Sequence, residues 1–121
     1  MKDILIVGLG GFIGSAARYG VYLFTTKLEL DKPYLSTLIV NLVGCFLIGL
    51  LSGEFMKLSN QVGLFLIAGL CGGFTTFSTF ALDGLKLIRD GMIAQFIIYA
   101  SISIVGGLIV CLIGFYLMNK A

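Results

Sequence analysis

Gly72-Gly73-Phe74-Thr75-Thr76-Phe77-Ser78-Thr79-Phe80 interrupts a long apolar stretch. Two adjacent glycines weaken a helix, and four of the next seven residues carry hydroxyls. Phenylalanines are interleaved with them at positions 74, 77 and 80. Broken backbone at membrane depth is tolerated only where protein or a polar cavity covers it. A hydroxyl-rich break inside an apolar run therefore marks the place where the chain does its work.

The composition around this run describes a membrane protein. Hydrophobic residues make up 59% of the 121, and mean hydropathy is +1.09. The charged fraction is 12%, against about 25% in an ordinary soluble domain. So small a core cannot hide this much apolar surface. A net charge of +2 gives no reason to expect nucleic acid as a partner. With no histidine in the chain, a histidine triad, proton relay or metal site is excluded. Cys45, Cys71 and Cys111 lie far apart inside apolar runs, which reads as small buried side chains. No metal-binding spacing links them.

Working outward from the break, four apolar segments are expected to span the membrane: 4–24, 35–55, 62–88 (broken near 72–76) and 92–118. They form a single four-span domain over 1–121. Each is long enough for a hydrocarbon core of about 30 Å at about 1.5 Å per residue. The polar connection from Thr25 to Tyr34 holds Pro33, the only proline. Lys2, an apolar run and then Ser15-Ala16-Ala17 resemble a secretory leader, but Asp3 sits beside the lysine and the apolar run resumes after Arg18. The first segment is read as retained.

Basic residues give almost no orientation. One side holds Lys2, Lys57 and Lys120; the other holds Lys27, Lys32, Lys86 and Arg89. So weak a bias suits a chain that inserts both ways and pairs with an inverted copy of itself, which supplies the inverted-repeat symmetry of larger transporters. Gly10/Gly14, Gly49/Gly53 and Gly69/Gly73 are GxxxG pairs, and seventeen glycines in all imply closely packed backbones.

Several polar groups are placed to act. The break divides the third segment into half-helices at 62–71 and 77–88. The backbone between them lacks intrahelical partners. Its carbonyls suit a hard cation such as Na⁺, and the start of the second half suits an anion. Asn41 lies in the second segment with Thr37 one turn before it on the same face, and Ser36 nearby. Tyr99 and Ser103 share a face of the fourth segment, which Gly107 continues. Phe77 and Phe80 share a face too, and their positive ring edges can meet a small anion without trapping it. Arg18 is the only basic residue well inside a segment; it either snorkels or makes a vestibule attractive to anions. Glu54 and Asp83 have no neighbouring carboxylate in sequence. No acid–base or nucleophile–base pair can be assembled, so no enzyme is expected.

These residues together resemble the CrcB/Fluc family of small bacterial fluoride channels. The anchors are Gly14-Ser-Ala-Ala-Arg18-Tyr19, Thr37-Leu-Ile-Val-Asn41-Leu-Val-Gly44 and the run from Gly72 to Phe80. The resemblance covers essentially the whole chain. It implies an all-α membrane protein of four transmembrane helices with the third broken mid-membrane, assembled as an antiparallel dual-topology homodimer in the bacterial plasma membrane. It implies a passive fluoride channel that lowers fluoride toxicity, with the lipid bilayer and a second copy as partners. A structural Na⁺ at the dimer interface is implied on the backbone carbonyls of Gly72 and Thr75. Asn41, Phe77 and Phe80 are implied in the fluoride pathway, joined by Thr37, Ser78, Thr79, Tyr99 and Ser103, with Arg18 at a vestibule. Two positions depart from the family pattern. Gly107 stands where another hydroxyl often continues the polar track, and Asp83 where a glutamate often follows the phenylalanines.

Two rivals remain on the residues alone. A small dual-topology exporter depends on a carboxylate in the first segment, where this chain has Arg18 and no acid beyond Asp3. A non-transporting membrane assembly protein has no need for hydroxyls clustered at a helix break.

Overall fold

A computed structural model describes residues 1–30, 32–52 and 60–119. Glu54, Lys57 and Lys120, and with them the end of the second segment, lie outside the described residues. The regular elements among the described residues are all helices, and we number them α1 (Lys2–Lys27), α2 (Tyr34–Leu51), α3 (60–74), α4 (Phe77–Arg89) and α5 (Ile93–Asn119). With α3 and α4 counted as one interrupted helix, four are long and apolar enough to cross a membrane.

Local chemistry sets the ends. Pro33 precedes the first residue of α2, where its fixed φ suits a helix start. Lys86 and Arg89 occupy the last turn of α4, next to the negative end of its dipole. Gly91 then takes φ +75, which glycine adopts without a Cβ clash. This lets Met92 N–H reach Leu87 O at 2.8 Å and Gly91 N–H reach Ile88 O at 3.1 Å. The chain reverses there into α5 through a Schellman turn.

Glycine notches decide which helices touch. A Cβ on Gly10 would stand 2.9 Å from Leu70 N and 3.0 Å from Gly69 Cα. One on Gly73 would stand 2.6 Å from Gly11 O. The two GxxxG pairs therefore face each other, and α1 meets α3 backbone to backbone. On the other side, Gly49 abuts the main chain of Cys111, and Gly114 abuts that of Leu50. Few large side chains are fully enclosed, among them Val40, Cys71 and Tyr99. Large apolar residues such as Phe12, Ile104 and Leu108 are exposed on the single chain. That is the expected surface of a protein whose solvent is lipid.

Two stretches depart from regular α-geometry. Leu64–Cys71 in α3 and Ile102–Gly106 in α5 are wound as π-helix, a form that tends to appear at functional sites. The second contains Ser103.

Candidate functional site

The interruption falls on the threonines rather than on the glycines. Gly72, Gly73 and Phe74 remain helical, while Thr75 (φ −86, ψ 158) and Thr76 (φ −153, ψ 121) are extended. Gly73 is needed for contact with α1, not for a bend. The methyl of Thr75 seats on Gly44 of α2, where any Cβ would collide with it.

Side chains take over the hydrogen bonds that the helix gives up. Asn41 clamps Thr76 from α2: its Nδ2 donates to Thr76 O at 3.1 Å, and Thr76 N–H donates to its Oδ1 at 2.8 Å. Thr76 Oγ1 in turn accepts from Thr79 N–H at 3.2 Å, which caps α4. Thr75 Oγ1 donates to Cys71 O at 3.0 Å, and Arg18 Nε of α1 donates to Gly73 O at 3.2 Å.

This wiring has a sign. In an unbroken helix Thr76 N–H would serve Gly72 O, and Thr79 N–H would serve Thr75 O. Both donors are instead held by side-chain oxygens. The break therefore satisfies two of its N–H groups with side chains and leaves the carbonyls of Gly72 and Thr75 without their helical donors.

Two clefts adjoin Thr76, which lines both. The first, of 380 Å³, is lined by Arg18, Ser36, Thr37 and Thr79 among others. The second, of 280 Å³, is lined by Asn41, Cys45, Thr75, Phe77, Phe80 and Ser103 among others. The Oγ of Ser103 is shielded and has no hydrogen-bond partner among the described residues. Phe77 is 80% exposed on the single chain, and its ring centroid lies 5.7 Å from that of Phe80. Phe80 leans on Tyr99 at 5.1 Å, and Tyr99 on Tyr34 at 4.9 Å. Tyr99 is buried and donates its hydroxyl to Asp83 Oδ2 at 3.1 Å.

The residues expected from sequence are thus distributed rather than pooled. Asn41, Phe77, Phe80 and Ser103 share one cleft; Thr37, Thr79 and Arg18 share the other. Tyr99 stands behind Phe80 and lines neither. Ser78 is exposed, its Oγ 3.2 Å from Thr76 Oγ1. Gly72 is exposed and Thr75 half-buried. The two departures from the family pattern find physical counterparts. Asp83 reaches the phenol of Tyr99. Gly107 makes room for Cys45, whose Sγ would lie 3.3 Å from a Cβ there.

Two residues of this site escaped the sequence reading. Thr76 is the keystone, and its position three before Thr79, at the start of a half-helix, is a capping signal. Cys45 lies one turn after Asn41, a spacing that places both on one face of α2.

Geometry of this kind defines a small multi-pass helical membrane protein organised around a broken helix, with mainly apolar clefts that carry a few polar side chains on either side of the break. Residues 5–115 match the family described as CrcB-like protein, Camphor Resistance (CrcB), and the chain belongs to that family. Among its relatives, a protein of Azobacteroides pseudotrichonymphae is 40% identical over 120 residues, covering 97% of this chain and 96% of the relative. One of Elusimicrobium minutum is 44% identical over 119 residues, covering 96% and 90%. One of Chlorobium luteolum is 44% identical over 110 residues, covering 88% and 84%. Each of the three is named a fluoride-specific ion channel.

Proposed function

We propose that this chain is a passive fluoride channel of the bacterial plasma membrane, working as an antiparallel dual-topology homodimer, and that it exports fluoride down its gradient. The observation that carries the reading is the second cleft. It gathers the rings of Phe77 and Phe80, the Asn41 amide and the unpartnered Ser103 hydroxyl around one space. The names of the relatives agree with it.

Fluoride is small and strongly hydrated, so its path must replace water with donors and avoid a deep trap. Asn41 donates one Nδ2 proton to Thr76 O; its second N–H is available to an anion. Ser103 supplies an O–H with no competing acceptor. The ring edges add positive potential without a full charge. Arg18 lines the first cleft with its guanidinium tethered at Gly73 O, where it concentrates anions. The first cleft adds the hydroxyls of Thr37 and Thr79. Ser78 and Tyr99 act from the borders, Tyr99 by backing Phe80. The exposure of Phe77 and Gly72 on the single chain suits surfaces completed by a second copy.

A structural Na⁺ fits the break. Gly72 O and Thr75 O are the carbonyls whose helical donors are diverted, and carbonyl oxygens suit a hard cation. When bound there by both copies, the ion supplies positive potential beside an anion path and ties the two broken helices together.

The test is fluoride efflux from proteoliposomes without a proton gradient. Passive efflux that is lost in Phe80→Ile is expected. A well-folded dimer that passes no fluoride overturns the reading. Tags that report one orientation only would overturn the dual topology.

A further inference from the structure

The three cysteines are free, and nothing in the fluoride path requires a thiol. Two of them are nonetheless brought together. Gly107 of α5 is the notch that receives Cys45 Sγ, 3.3 Å from where a Cβ would stand. Gly49 of α2, one turn beyond Cys45, receives the main chain of Cys111 in the same way, with Cys111 Cα at 3.1 Å. The register pairs 45 with 107 and 49 with 111, so the two helices run parallel at backbone contact. Cys111 therefore sits one turn, about 5.4 Å, above the notch that holds Cys45. Helical side chains tilt toward the N-terminus, which leans the Cys111 thiol back toward Cys45. Cys45 also lines the cleft of Asn41, Phe77, Phe80 and Ser103.

Ligand number selects the metal class. Zinc in a structural site takes four ligands. No group of three or more His, Cys, Asp or Glu side chains is assembled among the described residues. Two thiols alone suit a soft ion content with two sulfur ligands.

We propose that Cys45 and Cys111 form a dithiol site for a soft cation of the Hg²⁺ or Cu⁺ class, and that loading it obstructs the adjoining cleft. With Hg²⁺, two S–H bonds break, two Hg–S bonds form and two protons pass to water, with no change of oxidation state. Binding stands on the two helices alone; obstruction of fluoride rests on the function proposed above.

The two parts are tested separately. Purified full-length protein is titrated with HgCl₂, and bound mercury is counted by native mass spectrometry and by the sulfur–mercury absorption band. One Hg²⁺ per chain bridging two sulfurs is expected. Cys45→Ser and Cys111→Ser should each weaken its retention against glutathione by about 10²-fold or more, since chelation is lost. Cys71→Ser should leave the bridge intact. Independent one-to-one labelling of Cys45 and Cys111, or undiminished binding in the double variant, overturns the site. Because each single variant reports on the same bridge, poor folding of one leaves the other decisive. In proteoliposomes washed with glutathione, Hg²⁺ should stop fluoride efflux in the wild type and not in Cys111→Ser, which leaves the cleft lining unchanged. Flux that persists in wild type carrying the bridged ion overturns the obstruction. Absence of flux before any metal is added counts against the channel reading, while the mercury count still decides the site.

Discussion

Replacing Asn41 tests what holds the break open. Asn41→Ala removes both bonds to Thr76, at 3.1 and 2.8 Å. At about 1 kcal/mol net each, the loss is about 2 kcal/mol, roughly 30-fold in the folded-to-unfolded ratio. Two opposing corrections leave that figure standing. Thr76 is half-buried beside a cleft, so water can replace part of what is lost. The same position leaves an N–H stranded wherever water does not enter, at about 1–3 kcal/mol. Asn41→Asp separates the two bonds, because an ionised carboxylate still accepts from Thr76 N–H but cannot donate to Thr76 O. It should lose about half as much stability and should stop fluoride by placing a negative charge in the cleft. The assay is denaturant unfolding in mixed micelles, with amide hydrogen exchange at Thr76 as the local readout. Thr76 N–H should be protected in the wild type and in Asn41→Asp, and should exchange freely in Asn41→Ala. Equal stability and equal protection in wild type and Asn41→Ala would refute the clamp, and with it the account of why Gly72 O is left free.

Ser103→Ala removes a hydroxyl that satisfies nothing in the protein; unfolding should show stability unchanged or slightly raised, while fluoride efflux falls. A parallel loss of both would mean that Ser103 is structural. Gly14→Ala drives a Cβ into the main chain of α3, 2.8 Å from Phe74 N, and should destabilise by about 1–3 kcal/mol. Gly8→Ala meets nothing within 4 Å and should stay within about 0.5 kcal/mol of wild type in the same unfolding assay. A double-mutant cycle on Tyr99→Phe and Asp83→Ala should return a coupling of about 1–3 kcal/mol for the 3.1 Å bond; a value near zero would mean that water, not Asp83, satisfies the phenol.

Much of this was legible because period and composition report on burial. The four apolar segments, the Gly10/Gly14 and Gly69/Gly73 pairs and the break itself all follow from residue type at a fixed spacing. Sequence also singled out Asn41, since an amide among apolar neighbours must find a partner. It did not reveal which partner, because that depends on the register between α2 and the break. Thr75 and Thr76 look alike in sequence, yet one packs a methyl on Gly44 and the other caps α4. The division of the polar residues between two clefts was hidden for the same reason: Thr37 and Asn41 share a face of α2, but Thr76 stands between the spaces they line. The π-turns at Ile102–Gly106 have no signature in local propensity. Gly107 was noticed as a missing hydroxyl. Its use as a seat for Cys45 appears only once α2 and α5 are docked.

The break brings groups of both signs close together. Two side-chain oxygens take up N–H groups, Asn41 Oδ1 that of Thr76 and Thr76 Oγ1 that of Thr79, while Asn41 Nδ2, Arg18 Nε and Thr75 Oγ1 donate to the carbonyls of Thr76, Gly73 and Cys71. What remains on the backbone is of both signs: the carbonyls of Gly72 and Thr75, whose helical donors are diverted and which attract a cation, and the first-turn N–H groups of Phe77 and Ser78, which have lost their helical acceptors. The exposed positive N-terminus expected of a second half-helix is therefore partly spent on Thr76. Side chains standing beside the break add donors for an anion, and that is where the second N–H of Asn41, the hydroxyl of Ser103 and the rings of Phe77 and Phe80 are found. One consequence separates this account from a helix-dipole account of anion binding. Thr76→Val removes the Oγ1 acceptor and frees Thr79 N–H at the start of α4. If the dipole draws fluoride, Thr76→Val should tighten fluoride binding. If side chains carry the anion, the variant should loosen the break, weaken the cation-dependent stability of the dimer and leave fluoride affinity no better than before.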